Sequence, residues 1–198
     1  MKKLPPEFYL HHDVVHLARE LLGKVLATHI NGEGITAGII TETEAYAGTV
    51  DRASHAFGDR RTPRTETMYQ AGGLAYIYLC YGIHHLFNVV TNQPGVPHAV
   101  LVRAIHPIEG MRQMLQRFRP AAPVLPPLNG PGKLSRALGI HTTMNGTPLT
   151  GNTIWLADAG IIIPEEEITS TPRIGVDYAG EHAQWPYRFL CRPGLLPG

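Results

Sequence analysis

Two pairs of β-rich runs, each joined by a short glycine-bearing connection, constrain the fold of this chain most strongly. The runs KVLATHI and ITAGIITETEAY flank the four residues NGEG, and a longer run, LAYIYLCYGIHHLFNVVTN, carries Gly82 near its middle. Connections of this length and composition are typical of β-hairpins. The sequence therefore predicts two hairpins, and HAVLVRAI adds a further strand to a mostly antiparallel sheet.

Three segments have helical patterns. Asp13 can cap a helix over DVVHLARELLGK, with an apolar stripe at Val14, Leu17, Ala18, Leu21 and Leu22 and a stop at Gly23. A second helix is predicted after Pro107 from the spacing of Ile108, Met111, Leu115 and Phe118, and KLSRALGI predicts a short third one. Strands and helices together indicate an α+β fold with helices flanking a curved sheet.

The length and composition indicate one globular domain. A chain of 198 residues, 43% of them hydrophobic, is long enough for one sizeable core, so residues 1–198 are predicted to form a single compact domain. The proline-rich residues 120–132 are predicted to be a surface loop, and residues 47–73 a long polar loop with one helical turn. The net charge of +1 excludes a basic field over the whole chain, so contact with nucleic acid requires a local patch.

The absence of a secretory signal after Met1 and of any run of about 20 apolar residues predicts a cytoplasmic protein without membrane contact. Cys80 and Cys191 lie far apart and are predicted to be reduced, buried thiols. His12 and His16 are four residues apart, which is a zinc-binding spacing, but the fuller metalloprotease motif is missing and no metal site is predicted.

The stretch TETEAYAG places Glu42, Glu44 and Tyr46 on one face of a predicted strand. One interpretation is that both carboxylates are hydrated at a strand end. The other is that one of them is a general acid or base, because an apolar run precedes them and the long polar loop follows.

Tyrosines and cations supply further candidates. Tyr76 and Tyr78 share a strand face and Tyr81 lies at the turn, where they form either a packed ladder or a stacking platform with a wedge. Cations in the long loop and at the third helix either are simply solvated or contact phosphate. They are Arg52, Arg60, Arg61, Arg64, Lys133 and Arg136, with Arg112, Arg117 and Arg119 on the second helix.

Six motifs in order resemble the alkyladenine (3-methyladenine) DNA glycosylase family over nearly the whole chain, from about Leu17 to about Arg192. They are ETEAY, DRASHAFGDRRTPR, YIYLCYGIHHLFNVV, LVRAIHPIEG, GPGKLSRALGI and RIGVDYAGEHAQWPYRF. The resemblance implies base excision repair by a monofunctional enzyme without metal or organic cofactor. It also implies action on double-stranded DNA with damaged purines, through a protruding, DNA-inserting hairpin that enters the minor groove. Separately, we expect a monomer in the bacterial cytoplasm, associated with the nucleoid.

The resemblance also implies residue roles. Glu44 activates the attacking water and Arg103 helps to hold that water and the nucleotide, while Glu42 is structural. Tyr46 and Tyr78 stack on the two faces of the flipped base, and Tyr81 fills the gap in the duplex. His55 contacts the flipped nucleotide, Asn88 limits access by normal guanine, and Arg60, Arg61, Arg64 and Lys133 contact the DNA backbone.

Two other functions stay open from the residues alone. A glycosylase/lyase would use an amine nucleophile, for which Lys133 is the nearest candidate, and would form a Schiff base. A non-catalytic protein that binds damaged or single-stranded DNA would use the same tyrosines for stacking and would not depend on Glu44.

Overall fold

The computed structural model describes residues 1–30, 32–119 and 121–192. Nine strands form one sheet with the order β1-β7-β2-β3-β6-β5-β4, to which β9 adds by pairing with β3 and with β8. Every strand pairing is antiparallel, which confirms the predicted fold class. The strands are β1 Lys2–Lys3, β2 Val25–His29, β3 Ile35–Tyr46, β4 Ala75–Cys80, β5 His84–Thr91, β6 His98–Glu109, β7 Ile154–Asp158, β8 Ile168–Thr171 and β9 Arg188–Cys191.

Both predicted hairpins are present, as β2–β3 and β4–β5. The first predicted helix is α1 Val14–Glu20, and Asp13 caps it by accepting hydrogen bonds from the backbone N–H groups of Val15 (2.8 Å) and His16 (3.1 Å). The helix proper ends at Glu20, and the chain turns at Gly23, where φ is +80°. The remaining α-helices in the described part of the chain are α2 Met111–Phe118 and α3 Pro131–Leu138.

The prediction that Ile108 belongs to the second helix is wrong. Pro107 and Ile108 continue strand β6, and α2 begins only after Gly110, whose φ is +72°. The ladder between β3 and β6 shifts register between Ala37 and Gly38, opposite Pro107. A β-bulge of this kind accommodates a proline that has no N–H to donate.

The two predicted loops contain more structure than expected. Residues 47–73 hold three short 3-10 helices instead of one turn, at Gly48–Val50, Phe57–Asp59 and Glu66–Tyr69. In the proline-rich segment, of which Pro120 lies outside the described residues, α3 already starts at Pro131, because proline is favoured at the first helical position.

The thiol prediction holds for Cys191, which is buried, but Cys80 is only half-buried; both are free. Among the described residues, no set of three or more potential ligands is placed so that it could hold a metal ion. Nor does that part of the chain contain a helix with the length and apolar character needed to cross a membrane.

The main core lies between the sheet and the three helices. It includes Leu17 of α1, Phe87 of β5, Met114 of α2 and Leu134 of α3, all of them almost fully buried. Thr43 faces this side, because its hydroxyl donates to the carbonyl of Ala18 in α1 (2.7 Å). Its neighbours Glu42 and Glu44 therefore face the opposite side of β3.

Candidate active site

Glu42 and Glu44 are buried in the middle of the sheet, and the strand-end interpretation is wrong. Their segment of β3 lies between β6 and β9, with Glu44 opposite Leu101 on one side and Arg188 on the other. Glu42 is 8% exposed and Glu44 is 0% exposed. Carboxylates are almost never buried unless partners hold them, so the contacts of each one indicate its role.

Glu44 is held by three donors. The Tyr46 hydroxyl donates to Oε2 (2.8 Å), the backbone N–H of Ile174 donates to Oε1 (2.8 Å), and Arg103 Nη1 lies 3.3 Å from Oε1. Burial nevertheless raises the pKa of Glu44 above its ordinary value, and Arg103, the Ile174 N–H and Tyr46 oppose that rise only in part. A carboxylate with a raised pKa is a stronger base, which is the property that a general base requires.

Glu42 is arranged differently, because its Oε1 accepts hydrogen bonds from two guanidinium groups. These come from Arg103 Nε (2.8 Å) and Arg188 Nε (2.6 Å). Arg103 thus bridges the two carboxylates with different nitrogens. This geometry fits the structural role expected for Glu42, since it fixes the guanidinium that contacts Glu44.

A cavity of about 630 Å³ opens beside the carboxylates. Its wall collects residues from β3 to β6, the long loop, α3 and the segment before β9. Glu44 itself is behind this wall, where it contacts Tyr46 and Arg103, both of which face the cavity. The predicted site residues on the wall are Tyr46, His55, Arg64, Tyr78, Tyr81, Asn88, Arg103 and Lys133.

His55 and the strand tyrosines form one aromatic wall. The His55 ring lies 4.7 Å from that of Tyr78, and its Nδ1 is 2.9 Å from the Tyr76 hydroxyl. Arg64 can only donate to Nε2 (3.3 Å), so the proton belongs on Nδ1, which donates to Tyr76. Burial, with Arg64 and Arg60 nearby, lowers the pKa of His55 to about 4, so the imidazole is neutral near pH 7.

Asn88 is fixed beside Tyr76, its partner in the β4–β5 ladder. It is buried, and its amide donates to the carbonyls of Tyr76 (3.1 Å) and Leu86 (3.3 Å). Both bonds restrain the side chain, so Asn88 presents a rigid surface to the cavity.

The tip of the β4–β5 hairpin is the most exposed aromatic position of the site. Tyr81 is 89% exposed, and both Tyr81 (φ +51°) and Gly82 (φ +73°) adopt left-handed backbone conformations. Two such residues in succession are typical of a tight hairpin turn. A tyrosine in this conformation is strained, and strain at an exposed aromatic residue indicates a functional position.

The predicted backbone-contact residues are not all brought together. Arg64 stacks on Tyr78 with its guanidinium carbon 4.9 Å from the ring centroid, and Lys133 is exposed at the cavity edge. Arg60 lines a neighbouring cavity of about 540 Å³. Arg61 lines neither of these cavities and makes a bidentate ion pair with Glu66 (2.7 and 2.8 Å).

Sequence reasoning missed a fully buried ion pair behind Tyr46. Arg173 Nη2 donates to Asp51 Oδ1 (2.8 Å), Nη1 donates to the other carboxylate oxygen, and both side chains are 0% exposed. The Arg173 guanidinium carbon lies 4.8 Å from the ring centroid of Tyr46 and 5.4 Å from that of Tyr187. The partners are separated by 122 residues, and no local pattern links them.

Comparison with known proteins identifies the family of this chain. The methylpurine-DNA glycosylase family model matches residues 7–193. A Chlamydia felis protein is 49% identical over 188 residues, covering 94% of this chain and 95% of its own, and a Desulfitobacterium hafniense protein is 44% identical, covering 96% and 95%. A Bacillus thuringiensis protein is 43% identical, covering 93% of each chain. All three are provisionally named 3-methyladenine DNA glycosylase. With a family match over nearly its whole length and relatives this similar, the chain belongs to the methylpurine-DNA glycosylase family.

Proposed function

We propose that this DNA glycosylase excises alkylated or deaminated purines from duplex DNA with a water molecule activated by Glu44. The observation that carries the proposal is the buried Glu44 carboxylate, with its raised pKa, held behind a tyrosine-walled cavity by Tyr46, Arg103 and Ile174. The names of the relatives support 3-methyladenine as one substrate. We infer that residues 1–198 act as one monomeric domain, in the bacterial cytoplasm.

The damaged nucleotide must first leave the duplex, because its N-glycosidic bond is out of reach inside the stack. Tyr81 would enter the vacated position from the hairpin tip and offset part of the unstacking cost. The cavity of about 630 Å³ is within the usual range for small-molecule sites, about 300–1,000 Å³. Tyr46 and Tyr78 would stack on the base, and a base that carries positive charge gains a further cation–π attraction.

The bond then breaks through a sugar with oxocarbenium character. Glu44 as a carboxylate would take a proton from the attacking water and stabilise the positive charge on the sugar. Because Glu44 lies behind Tyr46 and Arg103, the water would occupy the position between the carboxylate and the sugar. Alkylated bases leave readily because they carry positive charge, whereas a neutral base such as hypoxanthine needs protonation as it leaves.

The lyase alternative is less well supported by the geometry. Lys133 is exposed, and its ammonium group lies 3.3 Å from Asn129 Oδ1. Lysine nucleophiles are usually activated by desolvation or by a neighbouring cation. We therefore expect no protein–DNA adduct to be trapped by borohydride.

Base release from duplex oligonucleotides tests the function directly. One substrate carries a single hypoxanthine and another a single 7-methylguanine, and abasic sites are detected by alkaline strand cleavage. Release from either substrate supports the proposal, and release from the alkylated duplex alone restricts the enzyme to charged bases. Binding of both duplexes without release from either would instead favour the damage-binding alternative.

The pH dependence follows from the raised pKa of Glu44. Protonated Glu44 cannot accept a proton from water, so the excision rate should fall as the pH decreases through this pKa. Because the pKa is raised, the fall should begin above the ordinary glutamate value of about 4.3. Single-turnover rates on 7-methylguanine DNA would measure it, since that base is already cationic. A rate that stays constant down to the ordinary value would contradict Glu44 as the base.

Truncation of the wedge should weaken capture of the lesion. Tyr81→Ala should cost about 1–3 kcal/mol of binding free energy for lesion DNA, the usual value for loss of one base–aromatic stack. Tyr81→Phe is the matched control and should bind as the wild type does, because the ring is retained. Titration of a fluorescent lesion duplex measures both, and equal affinity of the alanine variant and the wild type would remove the wedge role.

A further inference from the structure

A second cavity lies on the other side of the hairpin tip. It has a volume of about 640 Å³, nearly that of the candidate active site, and it is lined by hairpin residues, by α2 and α3 and by the β2–β3 connection. Ile83 lines only the second cavity and Tyr81 only the first, whereas His84 lines both. The hairpin turn therefore separates two cavities of similar size.

His84 forms the partition by packing onto the first turn of α3. A Cβ atom built on Gly132 would lie 2.8 Å from His84 Nδ1, so a larger residue at position 132 would displace the His84 side chain. Glycine at this position therefore permits the close packing of His84 on α3. Behind the partition, the His85 and His141 rings lie 4.0 Å apart, and Thr142 donates its backbone N–H to His85 Nδ1 (3.3 Å).

The second cavity is lined by positive charge. Among the described lining residues, Lys133, Arg136 and Arg117 are cationic, and Glu33 is the one acid. Glu33 pairs with Arg117 (3.1 Å), which leaves Lys133 and Arg136 without a carboxylate partner there. Arg136 is exposed. Its guanidinium is held by two contacts, since its Nε donates to the Arg117 carbonyl (2.7 Å) and its guanidinium carbon lies 4.9 Å from the Phe118 ring centroid. Its two terminal nitrogens make no hydrogen bond within the described residues, so they are available to an anion.

We propose that this second cavity binds the sugar–phosphate backbone of the strand complementary to the lesion, with Arg136 as a phosphate contact. The inference rests on the proposed function, in which Tyr81 enters the duplex from the hairpin tip, and on the minor-groove entry that the family resemblance implies for this hairpin. A hairpin in that groove, which is about 6 Å wide, has one backbone on each side. If the lesion strand lies beside the first cavity, the complementary strand lies beside the second, where Arg136, which does not line the first cavity, supplies the charge that phosphate requires.

The test uses a duplex with a tetrahydrofuran abasic analogue, which has no glycosidic bond to cleave. Single phosphates near the analogue are replaced by neutral methylphosphonates, in either strand, and the dissociation constant is measured for the wild type and for Arg136→Gln. At one complementary-strand position at least, the replacement should weaken wild-type binding about tenfold, the usual size for loss of one charged hydrogen bond. The same replacement should have little further effect on Arg136→Gln. Replacements in the lesion strand should weaken both proteins equally.

Two further variants separate charge from folding. Lys2→Gln removes one exposed charge at β1, the opposite end of the sheet order from β4, and should leave the affinity and its salt dependence unchanged. Arg136→Gln should reduce the slope of log K against log salt by about 0.9, which corresponds to one phosphate. Arg136→Lys keeps the charge and should keep most of that slope.

The proposal is overturned if every complementary-strand replacement weakens binding by Arg136→Gln as much as it weakens binding by the wild type. It is also overturned if Arg136→Gln, like Lys2→Gln, leaves the affinity and its salt dependence unchanged. Because the abasic analogue carries no base that could be released, either result leaves the glycosylase proposal standing. Conversely, suppose that the wild type releases no base while a complementary-strand replacement still loses its effect in Arg136→Gln. That result would refute the glycosylase mechanism and keep the backbone site.

Discussion

Glu44→Gln is expected to lower the single-turnover rate of base excision by about 10³-fold, because general-base catalysis alone contributes about 10²–10⁴-fold. The amide cannot take a proton from water and, being neutral, does not stabilise the positive charge on the sugar. It has the size of the carboxylate, and its oxygen can still accept the Ile174 N–H. Affinity for lesion DNA should therefore persist. Excision at a near-normal rate would contradict the assignment of Glu44.

The stability of the same variant provides an independent check. The raised pKa of Glu44 means that the ionised carboxylate is less favourable in the folded state than in the unfolded chain. Above that pKa, the neutral amide should therefore unfold at an equal or higher temperature than the wild type. A loss of rate together with unchanged or increased stability identifies a residue retained for chemistry, whereas parallel losses would indicate damage to the fold.

Glu42→Gln is the matched comparison, since Glu42 lies two residues away on the same face of β3. It contacts Arg103 and Arg188 but, unlike Glu44, does not accept the hydroxyl of Tyr46 on the cavity wall. We expect a smaller loss of rate than for Glu44→Gln, acting through the position of Arg103. We also expect a loss of stability, because two partly buried guanidinium groups lose a carboxylate and only Arg103 keeps another, Glu44. Equal losses of rate in the two variants would show that the pair acts as one electrostatic unit.

Local patterns predicted the parts of the fold that depend on neighbouring residues. The Asp13 cap and the two hairpins were correct because their hydrogen bonds join residues close in sequence. The second helix began too early in the prediction because Ile108 matches a helical spacing while it occupies a strand position. Pairing with β3, more than 60 residues earlier, decides that position, and the helical period carries no information about it.

In the candidate site, too, local patterns predicted what depends on neighbouring residues and missed what depends on distant ones. The spacing of Glu42, Glu44 and Tyr46 predicted a shared face, but it left a hydrated strand end as an alternative that only the pairing with β6 and β9 removes. Arg103 was assigned by resemblance, since 61 residues separate it from Glu42. Asp51 and Arg173 were missed altogether, because nothing near either residue indicates an ion pair across 122 residues.

Breaking the buried ion pair between Asp51 and Arg173 should have the largest effect on stability. Asp51→Asn should lower the free energy of unfolding by about 3–5 kcal/mol, the usual cost of removing one partner from a buried ion pair. The Arg173 side chain is 0% exposed, so in the variant its charge would have neither water nor a carboxylate to stabilise it. Its Nε already makes no hydrogen bond within the described residues. Urea denaturation monitored by circular dichroism would measure the change.

Glu66→Gln is the matched control, because it removes the carboxylate from an ion pair in the same loop that is about half exposed on both sides. Water can solvate Arg61 after that change, and exposed pairs contribute little, so the unfolding midpoint should barely move. Because Arg173 also packs against Tyr46, Asp51→Asn should in addition reduce the affinity for lesion DNA under folded conditions, whereas Glu66→Gln should not. If the two variants were equally stable, the buried pair would be dispensable, and the position of Tyr46 would have to depend on its hydrogen bond to Glu44 alone.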